Sequence, residues 1–199
     1  MASNYKRKDH YYQEAKDQGF RSRAAFKLVE VQKKYNLIKP GSKVLDLGCW
    51  PGGWLQIAAE FVGPQGKVIG VDLVETEFLK ESNVITLQGD VRSEATLEKC
   101  LNSANGSFDV ILSDMAPKLS GIREVDENAT LECAELAYGA CKKCLKMKGA
   151  IVIKMFKSAS ADEFVKRLRL SFAKVSRVEL DSTRKTSNEF YVIATAFKG

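Results

Sequence analysis

Histidine is almost missing from this chain of 199 residues: His10 is the only one, and it lies outside every motif described below. Imidazole, the commonest acid–base group, is therefore not at hand, and proton handling falls to lysines and carboxylates. Long apolar runs are also lacking. No segment reaches the ~20 apolar residues that cross a bilayer, and Met1-Ala2-Ser3-Asn4-Tyr5-Lys6 has no apolar signal core. The expectation is a cytoplasmic protein with no membrane partner. Cysteine is odd in number, five in all, and irregular in spacing, which fits a reducing compartment better than a disulfide framework. Cys141 and Cys144 have the spacing of a zinc pair, but no second pair completes a tetrahedron. They share a helical pattern with Cys133 and Leu145, so a core position is expected and no metal. Repeats and low-complexity segments are absent as well.

What is present begins with an uneven charge. Residues 1–40 hold ten Lys/Arg and four acids, while the other 159 residues hold 21 of each, so the whole formal net charge of +6 sits before residue 41. Tyr5, Tyr11, Tyr12, Phe20 and Phe26 interleave with these basic groups. Cations neutralise phosphates and aromatic rings stack on unpaired bases, which points to an RNA-facing segment. We assign residues 1–20 to a basic arm and residues 21–199 to one domain, a length able to bury a substantial core.

Beyond the arm, strand and helix patterns alternate. Ser22 is a candidate N-cap for a helix through Val31. Strands are expected at 43–47, 67–71, 84–87, 108–112, 150–155, 175–180 and 189–197. Helices are expected at 55–61, 94–101, 127–147 and 161–172, with Gly149 ending the third of these. Repeated βα units imply a Rossmann-like α/β fold: a mostly parallel seven-stranded sheet covered by helices on both faces. No helical pattern separates the last two strands, so the last strand is expected to be antiparallel.

The richest stretch is Val44-Leu45-Asp46-Leu47-Gly48-Cys49-Trp50-Pro51-Gly52-Gly53-Trp54, an apolar strand that passes through a glycine-rich turn into a helix. Open α/β sheets bind nucleotide-like ligands at such a turn. Trp50 occupies the second glycine position of the dinucleotide fingerprint, which disfavours a nicotinamide enzyme. The acid at the loop's entry suits an amino-acid ammonium better than a pyrophosphate, so the expected cofactor is S-adenosylmethionine. Asp46, Asp72, Asp90 and Asp114 each end a strand, so all four should line one crevice. Asp72 lies 20 residues past Gly52, where a carboxylate meets ribose hydroxyls, and Asp90 is placed for the adenine amine.

Several segments together resemble the FtsJ/RrmJ family of ribosomal RNA 2′-O-ribose methyltransferases. They are Ser22-Arg23-Ala24-Ala25-Phe26-Lys27-Leu28, Asp46-Leu47-Gly48 with Pro51-Gly52-Gly53-Trp54, Ser113-Asp114-Met115-Ala116-Pro117, Ser120-Gly121, Val152-Ile153-Lys154, and Ser182-Thr183-Arg184 with Glu189-Phe190-Tyr191. The resemblance implies a catalytic tetrad of Lys27, Asp114, Lys154 and Glu189. It also implies cofactor contacts from Asp46, Gly48, Gly52, Gly53, Trp54, Asp72, Asp90 and Asp114. Cys49-Trp50 departs from the two small residues of many members; Trp50 either reshapes the methionine end of the pocket or packs against the N-terminal helix.

The implied reaction is methyl transfer to a ribose 2′-oxygen, with a uridine of large-subunit ribosomal RNA, within that subunit, as substrate and the enzyme acting as a monomer. It needs in-line alignment and removal of the hydroxyl proton. An unperturbed lysine titrates near 10.4, so only roughly one in a thousand is neutral near pH 7.5. Burial of Lys154 and the nearby Lys27 ammonium oppose the charged form. Two divisions of labour stay open: Lys154 as the base, or Lys154 as an orienting charge with Asp114 accepting the proton. A tRNA anticodon-loop methyltransferase and a non-catalytic, cofactor-bound ribosome-assembly protein are the rival functions.

Overall fold

The computed structural model describes residues 10–117, 120–183 and 187–199. Its elements in chain order are α1 (His10–Asp17), α2 (Ala25–Tyr35), β1 (Lys43–Leu47), α3 (Gly53–Val62), β2 (Lys67–Asp72), β3 (Val84–Gln88) and α4 (Glu94–Ala104). They continue with β4 (Phe108–Ser113), α5 (Arg123–Cys144), β5 (Leu145–Phe156), α6 (Ala159–Ser171), β6 (Phe172–Val178) and β7 (Glu189–Phe197). The strands form one sheet in the order β3-β2-β1-β4-β5-β7-β6. The β1–β2, β1–β4, β2–β3 and β4–β5 pairs are parallel, and β7 runs antiparallel to both its neighbours. This is the expected α/β sheet with its last strand reversed.

Alternation along each strand divides the core into two layers. Leu45, Leu47, Ile111, Ile151 and Ile153 pack with residues of α4, α5 and α6. Val44, Val110, Leu112, Val152 and Tyr191 pack with residues of α2 and α3 on the other face. Asp46 and Lys154 share the parity of Val44 and Val152, so they face α2. Cys141 and Cys144 are free thiols buried in the α5 layer, as their helical pattern implied.

Several boundaries differ from expectation for non-local reasons. The expected arm contains α1, whose Ala15 is buried, and Phe20 meets Phe26 edge-on at 5.6 Å. Helix α2 starts at Ala25, with Ala24 as its N-cap and no side-chain cap, so Ser22 does not cap it. Helix α5 stops at Cys144 and not at Met147, because Leu145 already pairs with Phe108 and Lys146 reaches Asp109 at 2.7 Å. Gly149 thus lies inside β5. Strand β6 begins at Phe172, directly after α6, where the ring of Phe172 meets that of Phe197 at 5.0 Å.

Candidate active site

The strand order β3-β2-β1-β4 sets Asp90, Asp72, Asp46 and Asp114 in a row along the carboxyl edge of the sheet. A cleft of about 540 Å³ runs along this edge, lined by Gly48, Trp50, Asp72, Asp90, Asp114 and Met115, with Glu132 and Cys133 of α5 opposite. That volume is in the range of small-molecule sites. A second cavity, of about 20 Å³, lies behind it between Ser22, Asp46, Gly48, Trp50, Gly53, Trp54 and Asp114.

The acids in the row differ in state. Both Asp46 carboxylate oxygens are buried and, among the described residues, accept no hydrogen bond. Burial, and then the charges of Asp114 and Asp72, hold its pKa well above the ordinary aspartate value. A buried, unpartnered carboxylate is costly unless a donor or cation meets it. Asp72 accepts from Trp50 N at 3.0 Å and Val74 N at 2.8 Å. Asp90 accepts from both Arg92 Nε and the Arg92 amide, and these bonds lower its pKa. Cys49 is no acid or base here, since burial pushes its thiol up to about 12.

Glycines in the loop serve the protein's own close packing. A Cβ on Gly53 would lie 2.3 Å from Ser22 Oγ, and one on Gly48 would lie 2.5 Å from Met115 Cγ. Ser22 therefore abuts the start of α3, which is the role it has in place of capping α2. The Trp54 indole is likewise committed: it is buried, donates to Ala24 O at 2.7 Å and tilts against Tyr191. It borders only the small cavity, and Gly52 lines neither space. Neither Gly52 nor Trp54 therefore reaches the large cleft, where the sequence placed their cofactor contacts. Trp50 is 55% exposed on the cleft wall, not buried under a helix.

Beyond the cleft, register assembles the four expected catalytic residues as two ion pairs. Ser113 pairs with Ile153, which puts Asp114 beside Lys154; Lys154 pairs in turn with Tyr191, two residues from Glu189. Lys154 Nζ lies 3.0 Å from Asp114 Oδ1 and donates to the Asp114 carbonyl at 2.5 Å. Lys27 Nζ, delivered by α2, lies 2.5 Å from Glu189 Oε1. Both lysines are buried. Tyr191 joins the pairs: its hydroxyl donates to Asp114 Oδ1 at 2.6 Å, and Lys27 Nζ lies 5.5 Å from its ring centroid. Burial, and then the charges of Asp114 and Glu189, push the Tyr191 pKa well up, so it remains a neutral donor.

The likeness of this chain to known proteins spans both the row of acids and the two paired lysines. The family model described as FtsJ-like methyltransferase matches residues 20–197. The chain belongs to this family. As an FtsJ-like methyltransferase it works on RNA with a methyl donor. One relative, the ribosomal RNA large subunit methyltransferase E of Methanothermobacter thermautotrophicus, is 39% identical over 98% of this chain and 92% of its own. The protein of that name from Acidithiobacillus ferrooxidans is 40% identical over 96% of this chain and 87% of its own. A Plasmodium falciparum crystal structure with a provisional ribosomal RNA methyltransferase name superposes with a TM-score of 0.78 at 27% identity. It covers 90% of this chain and 100% of its own.

Sequence reasoning missed three participants of this FtsJ-like site. Tyr191 lies two residues after Glu189, the strand spacing that puts both on one face, and that was the available signal. Thr183, whose hydroxyl donates to Glu189 Oε1 at 3.0 Å, stood in the Ser182-Thr183-Arg184 segment without a role, and Arg92, which holds Asp90, had no signal beyond proximity in sequence.

Proposed function

We propose that this FtsJ-like methyltransferase transfers a methyl group from S-adenosylmethionine to a ribose 2′-oxygen of RNA, its substrate being a uridine of ribosomal RNA in the large subunit. The observation that carries the reading is the buried Lys154–Asp114 pair at one end of an acid-lined cleft. The names of the two relatives at 39% and 40% identity support ribosomal RNA over other RNA. Domain 21–199 does the chemistry, and the basic segment 1–20 approaches the RNA; the cytoplasm is the compartment where ribosomal RNA and free thiols fit together.

The residues fit the cofactor. Asp46, buried without a partner, suits its ammonium group; Asp72 is placed for ribose hydroxyls and Asp90 for the adenine amine. When bound, S-adenosylmethionine supplies a methyl group already activated by its sulfonium. Lys154 and Asp114 act on the nucleophile: together they orient the 2′-hydroxyl, and one of the two takes up its proton as the new bond forms. Tyr191 and the Asp114 carbonyl fix the pair's geometry. Lys27 and Glu189 hold the neighbouring wall, so the ribose meets an aligned and largely dry site.

Radiolabelled methyl transfer to separated ribosomal RNA, transfer RNA and ribosomal subunits, with mapping of the modified ribose, tests the substrate. Label in transfer RNA alone would overturn the ribosomal assignment. Lys154→Ala should lose at least ~100-fold in single-turnover rate with cofactor affinity kept, because a transition-state role is removed. Lys154→Arg separates the two members of the pair. Guanidinium does not give up its proton, so a rate as low as that of Lys154→Ala makes Lys154 the proton acceptor. A rate near wild type makes Asp114 the acceptor.

A further inference from the structure

Trp50 stands where the fold does not use a tryptophan. Its side chain is 55% exposed, whereas Trp54, four residues on, is buried and hydrogen-bonded. An exposed indole leaves a broad apolar face in water, a feature that favours a partner with a flat face of its own. The backbone beneath it is fixed from two sides. Trp50 N donates to Asp72 Oδ2 at 3.0 Å, and Pro51 O accepts from Arg21 Nη1 at 3.1 Å. The ring thus projects from a held loop.

Its position selects the partner. Trp50 lines both the cleft that holds Asp72 and Asp114 and the small cavity bordered by Ser22 and Asp46. It thus joins the acids of the cleft to Ser22 and Ala24, which belong to the forty residues that carry the protein's net positive charge. The cofactor's polar groups are matched by the acids, and Trp50 adds only a π face. A ribose presented to Lys154, by contrast, belongs to a nucleotide drawn out of its stack. A splayed base loses its stacking neighbours, and aromatic side chains commonly replace them.

We propose that the Trp50 indole is a stacking platform for an unpaired nucleobase of the RNA substrate, at or beside the methylated nucleotide, and so a specificity-determining residue. The inference rests on the RNA reading above. It commits the enzyme to single-stranded or loop targets, since a base held in a duplex cannot reach the ring.

Trp50 and the buried Trp54 are the only two tryptophans, so the difference in emission between wild type and Trp50→Phe reports on Trp50. A single-stranded oligoribonucleotide should quench wild-type emission, and the quench should vanish in Trp50→Phe. Trp50→Ala and Trp50→Leu should raise KM for RNA at least about fivefold, as loss of one base–aromatic stack predicts. Trp50→Phe should stay within about twofold on the same argument. S-adenosylmethionine affinity, measured by calorimetry, should be unchanged in all three. A Trp50→Leu enzyme with wild-type KM would overturn stacking in favour of simple apolar contact. Loss of cofactor affinity with RNA KM kept would make Trp50 a cofactor wall. If wild-type enzyme methylated no RNA, the functional reading itself would fall, and the quenching titration would still decide whether a base stacks on Trp50.

Discussion

Asp46 carries the sharpest consequence of a single side chain. Its folded-state pKa is raised well above the ordinary value of about 3.8, first by burial and then by Asp114 and Asp72. The folded chain therefore binds the Asp46 proton more tightly than the unfolded chain. That contribution to stability is complete below the ordinary value and is lost as pH rises through the raised one. Asp46→Asn cannot ionise, so the ligand-free variant should lack this decline. Thermal unfolding followed from about pH 4 to 8, a range that opens at the ordinary aspartate pKa, should show its midpoint overtaking wild type at the upper end. Its cofactor affinity should fall roughly tenfold or more, as expected from one lost charged hydrogen bond. Parallel stability curves would show Asp46 to be an ordinary carboxylate. Asp46 was legible as one of four strand-end acids. Its isolation was not, because that depends on how Ser22, from the segment before α2, gathers with Gly53 and Trp54, from the far side of the turn, around the small cavity that Asp46 borders. The lysines and acids of the two ion pairs were legible from motifs. Tyr191 reads as one more apolar strand residue until the register with Lys154 places its hydroxyl on Asp114.

Elements explain how the pairs stay in place. Helix α2 presents Lys27 and Glu30, three residues apart and hence on one face. Glu30 Oε1 accepts from Asp181 N at 2.9 Å, and its Oε2 accepts from Ser182 N at 3.2 Å and Ser182 Oγ at 3.0 Å. It thereby ties the segment after β6 to the helix, and Thr183 in that segment donates to Glu189 Oε1. Glu30→Gln loses acceptors facing backbone N–H groups, and a destabilisation of about 1–2 kcal/mol is expected. If the tie positions Glu189, the single-turnover rate should fall several-fold with cofactor affinity intact; a lower unfolding midpoint at an unchanged rate would reduce Glu30 to a structural clamp. Strand cores were readable here because apolar alternation is local. Their ends were not: β5 starts at Leu145 through its pairing with Phe108, and Ser22 leaves the cap position to fill the space above Gly53.

At the scale of the whole molecule, charge and chemistry occupy different regions. The sheet domain beyond residue 40 is electrically balanced, and the excess of six positive charges lies before it. Within that excess, Lys27 is buried against Glu189, so it is spent on the site and not on phosphates. Lys16, Lys33, Lys34 and Lys39 are exposed and free to face a polyanion. Lys6, Arg7 and Lys8 lie outside the described residues, and their assignment to an RNA-facing arm rests on charge alone. Replacing these three by alanine changes no residue of the described sheet, cleft or ion pairs. If each meets a phosphate of single-stranded RNA, the slope of log affinity against log salt should flatten by about 2, at about 0.7 per contact. Cofactor affinity should not change. Binding measured across a salt series decides the matter: an unaltered slope would mean that residues 6–8 touch no phosphate, and recognition would then rest on the exposed lysines of α1 and α2 and on the cleft itself.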